Sequence, residues 1–185
     1  MAKKAIVLLA EGFEEVEAVT PIDYLRRAGV EVTIATISFI LNVKGARGIK
    51  IDADTTLAGI EGEESSWDAV IIPGGSNGAA NLAASKQAGV LLKDMAAAGK
   101  LICAICASPA VVLSPLGLLA GKKFTCYPGL EEKVKEGKWS DERVVVDGNI
   151  ITSRSAGTSG EFAIAIIEKL LDKEAAKKIA DAVLL

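Results

Sequence analysis

Cys106, in the stretch LICAICASPAVV (101–112), is the residue whose type and position best suit covalent chemistry. The apolar run before it predicts a buried strand, and the residues after it favour a helix. A sharp strand-to-helix turn exposes a nucleophile, and the N–H groups and dipole at the start of a helix favour a thiolate. The chain contains no histidine, so the pattern predicts a thiol that the following helix activates.

Residues that could assist a thiol follow the neighbouring predicted strands. Glu14, Glu15 and Glu17 follow the first predicted strand. The third strand ends in a glycine turn that includes Gly75, and a later strand ends in the segment 126–128. In open parallel sheets, functional groups collect at the carboxyl ends of the strands. Backbone N–H groups of a glycine turn stabilise an oxyanion, so we expect these residues to meet around Cys106.

The cysteines also have plainer interpretations. Cys103 lies inside the predicted strand and is expected to be a buried apolar filler. On physical grounds alone, Cys106 is compatible with either a filler or a nucleophile. Cys103 and Cys106 form a C-x-x-C pair, but a thioredoxin-type site needs its first cysteine at a helix start, which disfavours that reading. Cys126 could face either the site or the core.

The elements that must position these residues alternate between strands and helices. This alternation predicts a mostly parallel sheet with helices on both faces, an α/β sandwich, in one domain over residues 1–185. Pro21 either kinks the first helix or begins a second one. The predicted strands are 5–10, 30–38, 67–75, 101–106 and 122–128, with hairpins in 39–56 and 143–153, and the predicted helical segments are 14–28, 79–98, 108–121, 159–171 and 173–183.

Composition excludes several classes of protein. The chain has 185 residues and a formal net charge of -3, without the basic footprint of a nucleic-acid-binding protein. Its apolar runs are shorter than the ~18 residues of a membrane span. Three cysteines do not suggest a disulfide framework, and without histidine they do not make a structural zinc site. The cytoplasm is the expected compartment.

Four segments together resemble the ThiJ/PfpI superfamily, and within it the DJ-one branch of Parkinson disease protein seven. They are AEGFEEVEAVTPID (10–23), VIIPGGSNGA (70–79), AICASPAV (104–111) and ITSRSAGTS (151–159). The resemblance covers nearly the whole chain. It implies a flavodoxin-like three-layer sandwich and a homodimer built partly on the first helix.

The resemblance also implies roles for individual residues. Cys106 corresponds to the reactive cysteine, and Glu17 to a protonated glutamate that hydrogen-bonds to it. The backbone N–H groups that face the sulfur correspond to Gly75 and Ala107. The anion-facing arginines near the dimer interface correspond to Arg27 and Arg47, which without the resemblance would be ordinary surface charges.

One departure from the branch concerns Tyr127, which occupies the position where members commonly have histidine. A tyrosine hydroxyl, with a pKa near ~10, is a poor general base at neutral pH, although it can donate a hydrogen bond. A milder departure is Ser155-Ala156, where the branch often has glycine-proline. Activities that depend on the histidine are therefore in question, and a Cys-His-acid peptidase is disfavoured.

Two functions follow from the resemblance. The first is a cysteine-dependent glyoxalase or deglycase that converts small dicarbonyls to hydroxy acids without a metal, nucleotide, glutathione or other cofactor. The second is a binding role, as an oxidative-stress sensor or redox-regulated chaperone that acts through oxidation of Cys106, since exposed thiols of low pKa oxidise readily.

Overall fold

The structure is a computed structural model that describes residues 2–62 and 64–185. Over these ranges, seven strands form the main sheet in the order β10-β11-β7-β6-β1-β2-β5. Their pairings are parallel except between β10 and β11. The strands are β1 (Lys4–Leu9), β2 (Glu31–Thr36), β3 (Asn42–Lys44), β4 (Lys50–Asp52), β5 (Thr55–Thr56), β6 (Ala69–Ile72), β7 (Leu101–Ile105), β8 (Lys123–Phe124), β9 (Lys138–Trp139), β10 (Val144–Asp147) and β11 (Ile150–Ser153).

Helices cover both faces of this sheet, as the continuous apolar strands require. The side chains of β1 alternate between two cores: Ile6 and Leu8 pack in the cluster beneath α2 and α3, and Val7 and Leu9 pack in the cluster beneath α1 and α4. The predicted flavodoxin-like α/β sandwich is therefore confirmed. The helices are α1 (Glu15–Arg27), α2 (Ser76–Ala84), α3 (Lys86–Ala97), α4 (Ser159–Leu170) and α5 (Lys173–Val183).

Two predicted helical segments differ in detail from the observed ones. Pro21 lies inside the single helix α1, so the chain does not begin a second helix there. The segment predicted as one helix over 79–98 is two helices divided at Ser85, whose backbone is extended. The Ser85 hydroxyl accepts a hydrogen bond from the backbone N–H of Ala88 at 3.2 Å, which is the usual N-cap contact.

The segment after Cys106 is not the α-helix predicted over 108–121. It contains a π-helical turn (Pro109–Leu113), then a 3-10 turn (Ser114–Leu116) that ends at Gly117 in the left-handed region. The backbone N–H of Ser114 bonds to the carbonyl of Pro109. Because Pro115 has no N–H and its ring crowds the preceding turn, α-helical bonding cannot continue regularly here.

The strand predicted over 122–128 is confirmed only in part. Lys123–Phe124 pair with Lys138–Trp139, a strand that the sequence pattern does not predict. The next N–H, that of Thr125, bonds to the side chain of Thr152 and not to a ladder, so residues 126–128 form a loop. The hairpins predicted in 39–56 and 143–153 are confirmed as β3–β4 and β10–β11.

None of the helices in the described part of the chain has the length and apolarity needed to cross a bilayer.

Candidate active site

The carboxyl ends of β1, β6, β7 and β11 open into one cleft of about 630 Å³. The topology explains this arrangement, because these parallel strands are neighbours and their following segments leave the sheet at one edge. Nine of the residues that the sequence analysis singled out line the cleft: Glu14, Glu17, Arg47, Gly75, Cys106, Ala107, Tyr127, Ser155 and Ala156.

Cys106 occupies a strained turn directly after β7. Its φ is 65°, a left-handed conformation that non-glycine residues rarely adopt. The backbone holds it there: the N–H of Cys106 donates to the carbonyl of Ser153 at 2.9 Å, and the N–H of Tyr127 donates to the carbonyl of Cys106 at 2.7 Å. Strain of this kind persists only where surrounding bonds enforce it, so the fold holds the sulfur in a set position in the cleft.

Glu17 on α1 is 1% exposed and lies against the cysteine. Its Oε2 accepts a hydrogen bond from the N–H of Gly74 at 2.9 Å, and the carboxyl also accepts bonds from the N–H of Ala156 and the thiol of Cys106. Burial nevertheless outweighs these donors and raises the pKa of Glu17 to about 7. This carboxyl is therefore divided between its protonated and ionised forms at neutral pH.

The sulfur of Cys106 accepts hydrogen bonds from the backbone N–H groups of Gly75 and Ala107. Burial, followed by the negative charge and the hydrogen bond of Glu17, raises the pKa of the Cys106 thiol to about 12. The segment that the sequence predicts to activate this thiol begins with a five-residue π-helical turn, and the N–H of Ala107 lowers the pKa of the thiol by less than burial raises it. A thiolate requires that Glu17 hold the proton.

Two glycines let these groups approach one another. A methyl group on Gly74 would lie 2.6 Å from the Cβ of Cys106 and 2.6 Å from Oε2 of Glu17. Gly75 has a φ of 88°, and a Cβ there would overlap the carbonyl oxygen of Gly12. A Gly-Gly pair by itself is only a weak indication of a turn. Here the close tertiary contacts leave no room for a side chain at either glycine.

The loop after β8 brings Tyr127 to the cleft and Cys126 to the core. Tyr127 is 48% exposed. Cys126 is fully buried, its thiol lies 3.5 Å from the carbonyl of Tyr127, and burial raises its pKa to about 12. Of the two orientations that the sequence left open, Cys126 therefore faces the core and not the site. Cys103 is also buried, and all three cysteines are free.

The two arginines lie in different surroundings. Arg47 is 77% exposed at the rim of the cleft, with its Nε 4.0 Å from Oε2 of Glu14. Arg27 lies at the other end of α1, where its Nε bonds to Asp23 at 2.7 Å, and it is not among the residues that line the cleft of this chain.

Glu15 has a positioning role that the sequence analysis did not assign. It is buried, and its Oε1 accepts hydrogen bonds from the N–H groups of Arg47 at 2.6 Å and Ile49 at 3.3 Å. These bonds fix the hairpin loop that carries Arg47. The sequence grouped Glu15 with the residues expected around Cys106, but Glu15 is not among the residues that line the cleft. An acidic residue at the start of a helix is commonplace, so the sequence offered no signal for its bonds to the hairpin loop.

Within residues 2–62 and 64–185, no group of three or more His, Cys, Asp or Glu side chains is arranged to hold a metal ion. Residues 3–169 match the DJ-1/PfpI family.

The chain is 44% identical to "Protein DJ-1 homolog B" of Arabidopsis thaliana, over 97% of this chain but 40% of that protein. It therefore spans less than half the length of the Arabidopsis relatives that it matches. It is 39% identical to the Caenorhabditis elegans protein "Glutathione-independent glyoxalase DJR-1.2", over 91% of this chain and 89% of that protein. The solved structure "Toxoplasma gondii DJ-1, oxidized" superposes with a TM-score of 0.95 at 42% identity, covering 99% of this chain and 98% of that one.

Proposed function

Because the chain belongs to the DJ-1/PfpI family, we propose that it is a cysteine-dependent glyoxalase or deglycase that converts small dicarbonyls to hydroxy acids. The observation that carries the proposal is the hydrogen-bonded pair of Glu17 and Cys106 in an open cleft, with the pKa of Glu17 near 7. A general acid–base group works best when its pKa lies near the operating pH. The C. elegans relative named as a glutathione-independent glyoxalase supports the same chemistry.

The proposed reaction begins with transfer of the thiol proton to Glu17. The Cys106 thiolate then adds to the aldehyde carbon of methylglyoxal, which forms a carbon–sulfur bond and an oxyanion. In this scheme the N–H groups of Gly75 and Ala107, which bond to the sulfur, stabilise that oxyanion.

Glu17 next gives the proton it took from the thiol to the oxyanion, which forms a hemithioacetal and leaves Glu17 ionised. The Glu17 carboxylate then moves a proton from the former aldehyde carbon to the neighbouring carbon by way of an enediol, leaving a thioester of lactate. Water cleaves the thioester, releases lactate and regenerates Cys106. One carbon is oxidised and its neighbour is reduced by the same amount, so the net change is the addition of one water. The reaction therefore needs no external oxidant, reductant or other cofactor.

Tyr127 has a narrower role in this scheme than the family's histidine. A half-exposed tyrosine hydroxyl can donate a hydrogen bond to an oxygen of the substrate, but it is a poor base at neutral pH. Proton transfer is accordingly assigned to Glu17, and we expect turnover to be slower than with a histidine at this position.

We also infer that the protein forms a homodimer through α1. Val16 and Val19 are half-exposed on this helix, one turn apart. Arg27 lies near its far end, where it would face a second copy. Light scattering after size exclusion tests this assignment, and a mass of one chain, 19.2 kDa, would contradict it.

The test of the enzymatic proposal is lactate formation from methylglyoxal by reduced protein, with the Cys106→Ser variant as the control. Turnover that depends on Cys106 would support the proposal. If the wild-type protein and the variant form lactate equally slowly, the glyoxalase assignment fails.

The second candidate is a sensor in which Cys106 is oxidised to the sulfinate. The observation in its favour is that the N–H groups of Gly75 and Ala107 donate to the sulfur and that the Glu17 carboxyl lies within hydrogen-bond reach of it. The two N–H groups and a protonated Glu17 would hold the sulfinate oxygens. The Glu17→Gln variant separates the two functions. It should lower lactate formation by about 10²–10⁴-fold, because it cannot shuttle a proton, whereas its amide would still donate a hydrogen bond to a Cys106 sulfinate once excess peroxide has formed it.

A further inference from the structure

The cleft around Cys106 continues into a second cavity of about 460 Å³. The two share Gly12, Ala46 and Asn77 in their walls. A three-carbon dicarbonyl has roughly the volume of a few water molecules, at about 30 Å³ each. Methylglyoxal would therefore leave most of this continuous space unfilled.

The second cavity, here called the polar groove, is lined by the side chains of Glu11, Lys44, Asn77 and Asn81. Nδ2 of Asn81 donates to the carbonyl of Glu11 at 2.9 Å, which leaves the amide oxygen of Asn81 free. Within the described residues, the side chains of Glu11, Lys44 and Asn77 have no hydrogen-bond or ion-pair partner.

These unpaired groups show what the polar groove would recognise. They include donors on Lys44 and Asn77 and acceptors on Glu11 and Asn81, and the ammonium and carboxylate charges offset each other. Hydroxyl groups both donate and accept hydrogen bonds. The polar groove therefore suits a neutral, hydroxylated chain better than an apolar or strongly charged one.

Gly12 holds the passage between cleft and polar groove in place. Its N–H donates to the carbonyl of Lys44 at 2.8 Å, and its carbonyl accepts from the N–H of Gly78 at 3.1 Å. Its φ is 83°, and a Cβ there would lie 2.6 Å from that of Asn77. Asn77 thus sits directly over Gly12, beside any chain that runs from Cys106 into the polar groove.

We propose that the substrates of this site are 2-oxoaldehydes derived from sugars, with the hydroxylated tail bound in the polar groove. This inference rests on the proposed function of Cys106. For a six-carbon 3-deoxyosone, Cys106 adds to the aldehyde carbon, Glu17 moves the proton to the adjacent carbon, and water releases a 3-deoxy-2-hydroxyhexonate. As with methylglyoxal, the net change is one added water with no external oxidant.

The experiment compares kcat/KM for 3-deoxyglucosone, for 2-oxohexanal and for methylglyoxal. The first two compounds have the same number of carbons and differ in the hydroxyl groups of the tail. We expect the wild-type protein to prefer 3-deoxyglucosone over 2-oxohexanal. Lys44→Met and Asn77→Ala should each lower that preference about tenfold, the size expected for one lost hydrogen-bonding group. Lys50→Met is the matched control, because Lys50 pairs with Lys44 across the hairpin but does not line the polar groove.

The outcomes separate the two proposals. Turnover of methylglyoxal without a preference for 3-deoxyglucosone, or a preference that Lys44→Met and Lys50→Met lower equally, would overturn this inference and leave the glyoxalase proposal standing. The absence of Cys106-dependent turnover with all three compounds would overturn the proposed function, and this inference with it.

Discussion

The carboxyl group of Glu17 and the thiol of Cys106 are hydrogen-bonded to each other, although they lie 89 positions apart in the sequence. Burial raises the pKa of Glu17 to about 7, and burial together with Glu17 raises the pKa of Cys106 to about 12. Between these values the pair holds one proton. When that proton is on the carboxyl, the sulfur is a thiolate. The proton affinity of Glu17 therefore sets how much reactive thiolate Cys106 forms.

The first prediction concerns the pH dependence of this reactivity. Below pH 7 both groups are protonated, so the thiolate population should rise with pH until about pH 7 and then level off. We expect the rate of Cys106 alkylation by iodoacetamide to rise by up to about tenfold per pH unit below pH 7, as for the loss of one proton from a coupled pair. Mass spectrometry of the labelled peptide would measure it. In Glu17→Gln the step near pH 7 should vanish, and its persistence would show that another group controls the thiol.

The second prediction concerns stability. Because the folded-state pKa of Glu17 is raised from 4.5 to about 7, the folded protein binds more protons than the unfolded chain in this interval. The free energy of unfolding should therefore fall as pH rises from about 4.5 to 7, by about 3 kcal/mol if the full shift is expressed.

Glu17→Gln removes this titration, so we expect the variant to gain stability relative to the wild-type protein between pH 5 and pH 8. Urea denaturation at the two pH values measures the difference, with Glu11→Gln as an exposed control. Parallel stability profiles for wild type and Glu17→Gln would contradict the raised pKa.

The third prediction compares two glycines of similar conformation. Gly75 has a φ of 88° and no room for a Cβ, whereas Gly48 has a φ of 92° and no other described atom within 4 Å of a Cβ. Gly48→Ala should cost about 1–2 kcal/mol, the strain of the left-handed conformation. Gly75→Ala adds overlap with backbone and should cost more than about 3 kcal/mol. Urea unfolding measures both, and equal losses would mean that the turn after β6 can relax.

The fourth prediction concerns Tyr127. Replacing this half-exposed residue with histidine should change stability by less than about 0.5 kcal/mol. An imidazole with a pKa near ~6.5 offers a second base in the cleft. We therefore expect Tyr127→His to raise kcat/KM for methylglyoxal by about tenfold or more, measured as lactate formation. Tyr127→Phe is the control, and an equal effect of the two substitutions would show that proton transfer at this position is not limiting.

Much of the fold could be predicted because its signals are local. Apolar runs such as 5–10 and 101–106 form β1 and β7 because strands covered on both faces carry continuous apolar side chains. One deviation arises where a contact distant in sequence decides: the N–H of Thr125 bonds to the side chain of Thr152, and the strand ends at Phe124. The other is local, because the Ser85 hydroxyl caps α3 through the N–H of Ala88 and divides a segment whose composition predicts one helix.

Local sequence is enough to predict that Cys106 follows a buried strand, that glycines follow the neighbouring one, and that no histidine is available as a base. The burial of Glu17 against the sulfur, the need for glycine at position 74 and the orientation of Cys126 toward the core depend on contacts between distant segments. The pKa of a group depends on its burial and on neighbouring charges and donors, and these are not local properties of the sequence. The fold brings those neighbours from β1, β6, β7 and β11 to one edge of the sheet.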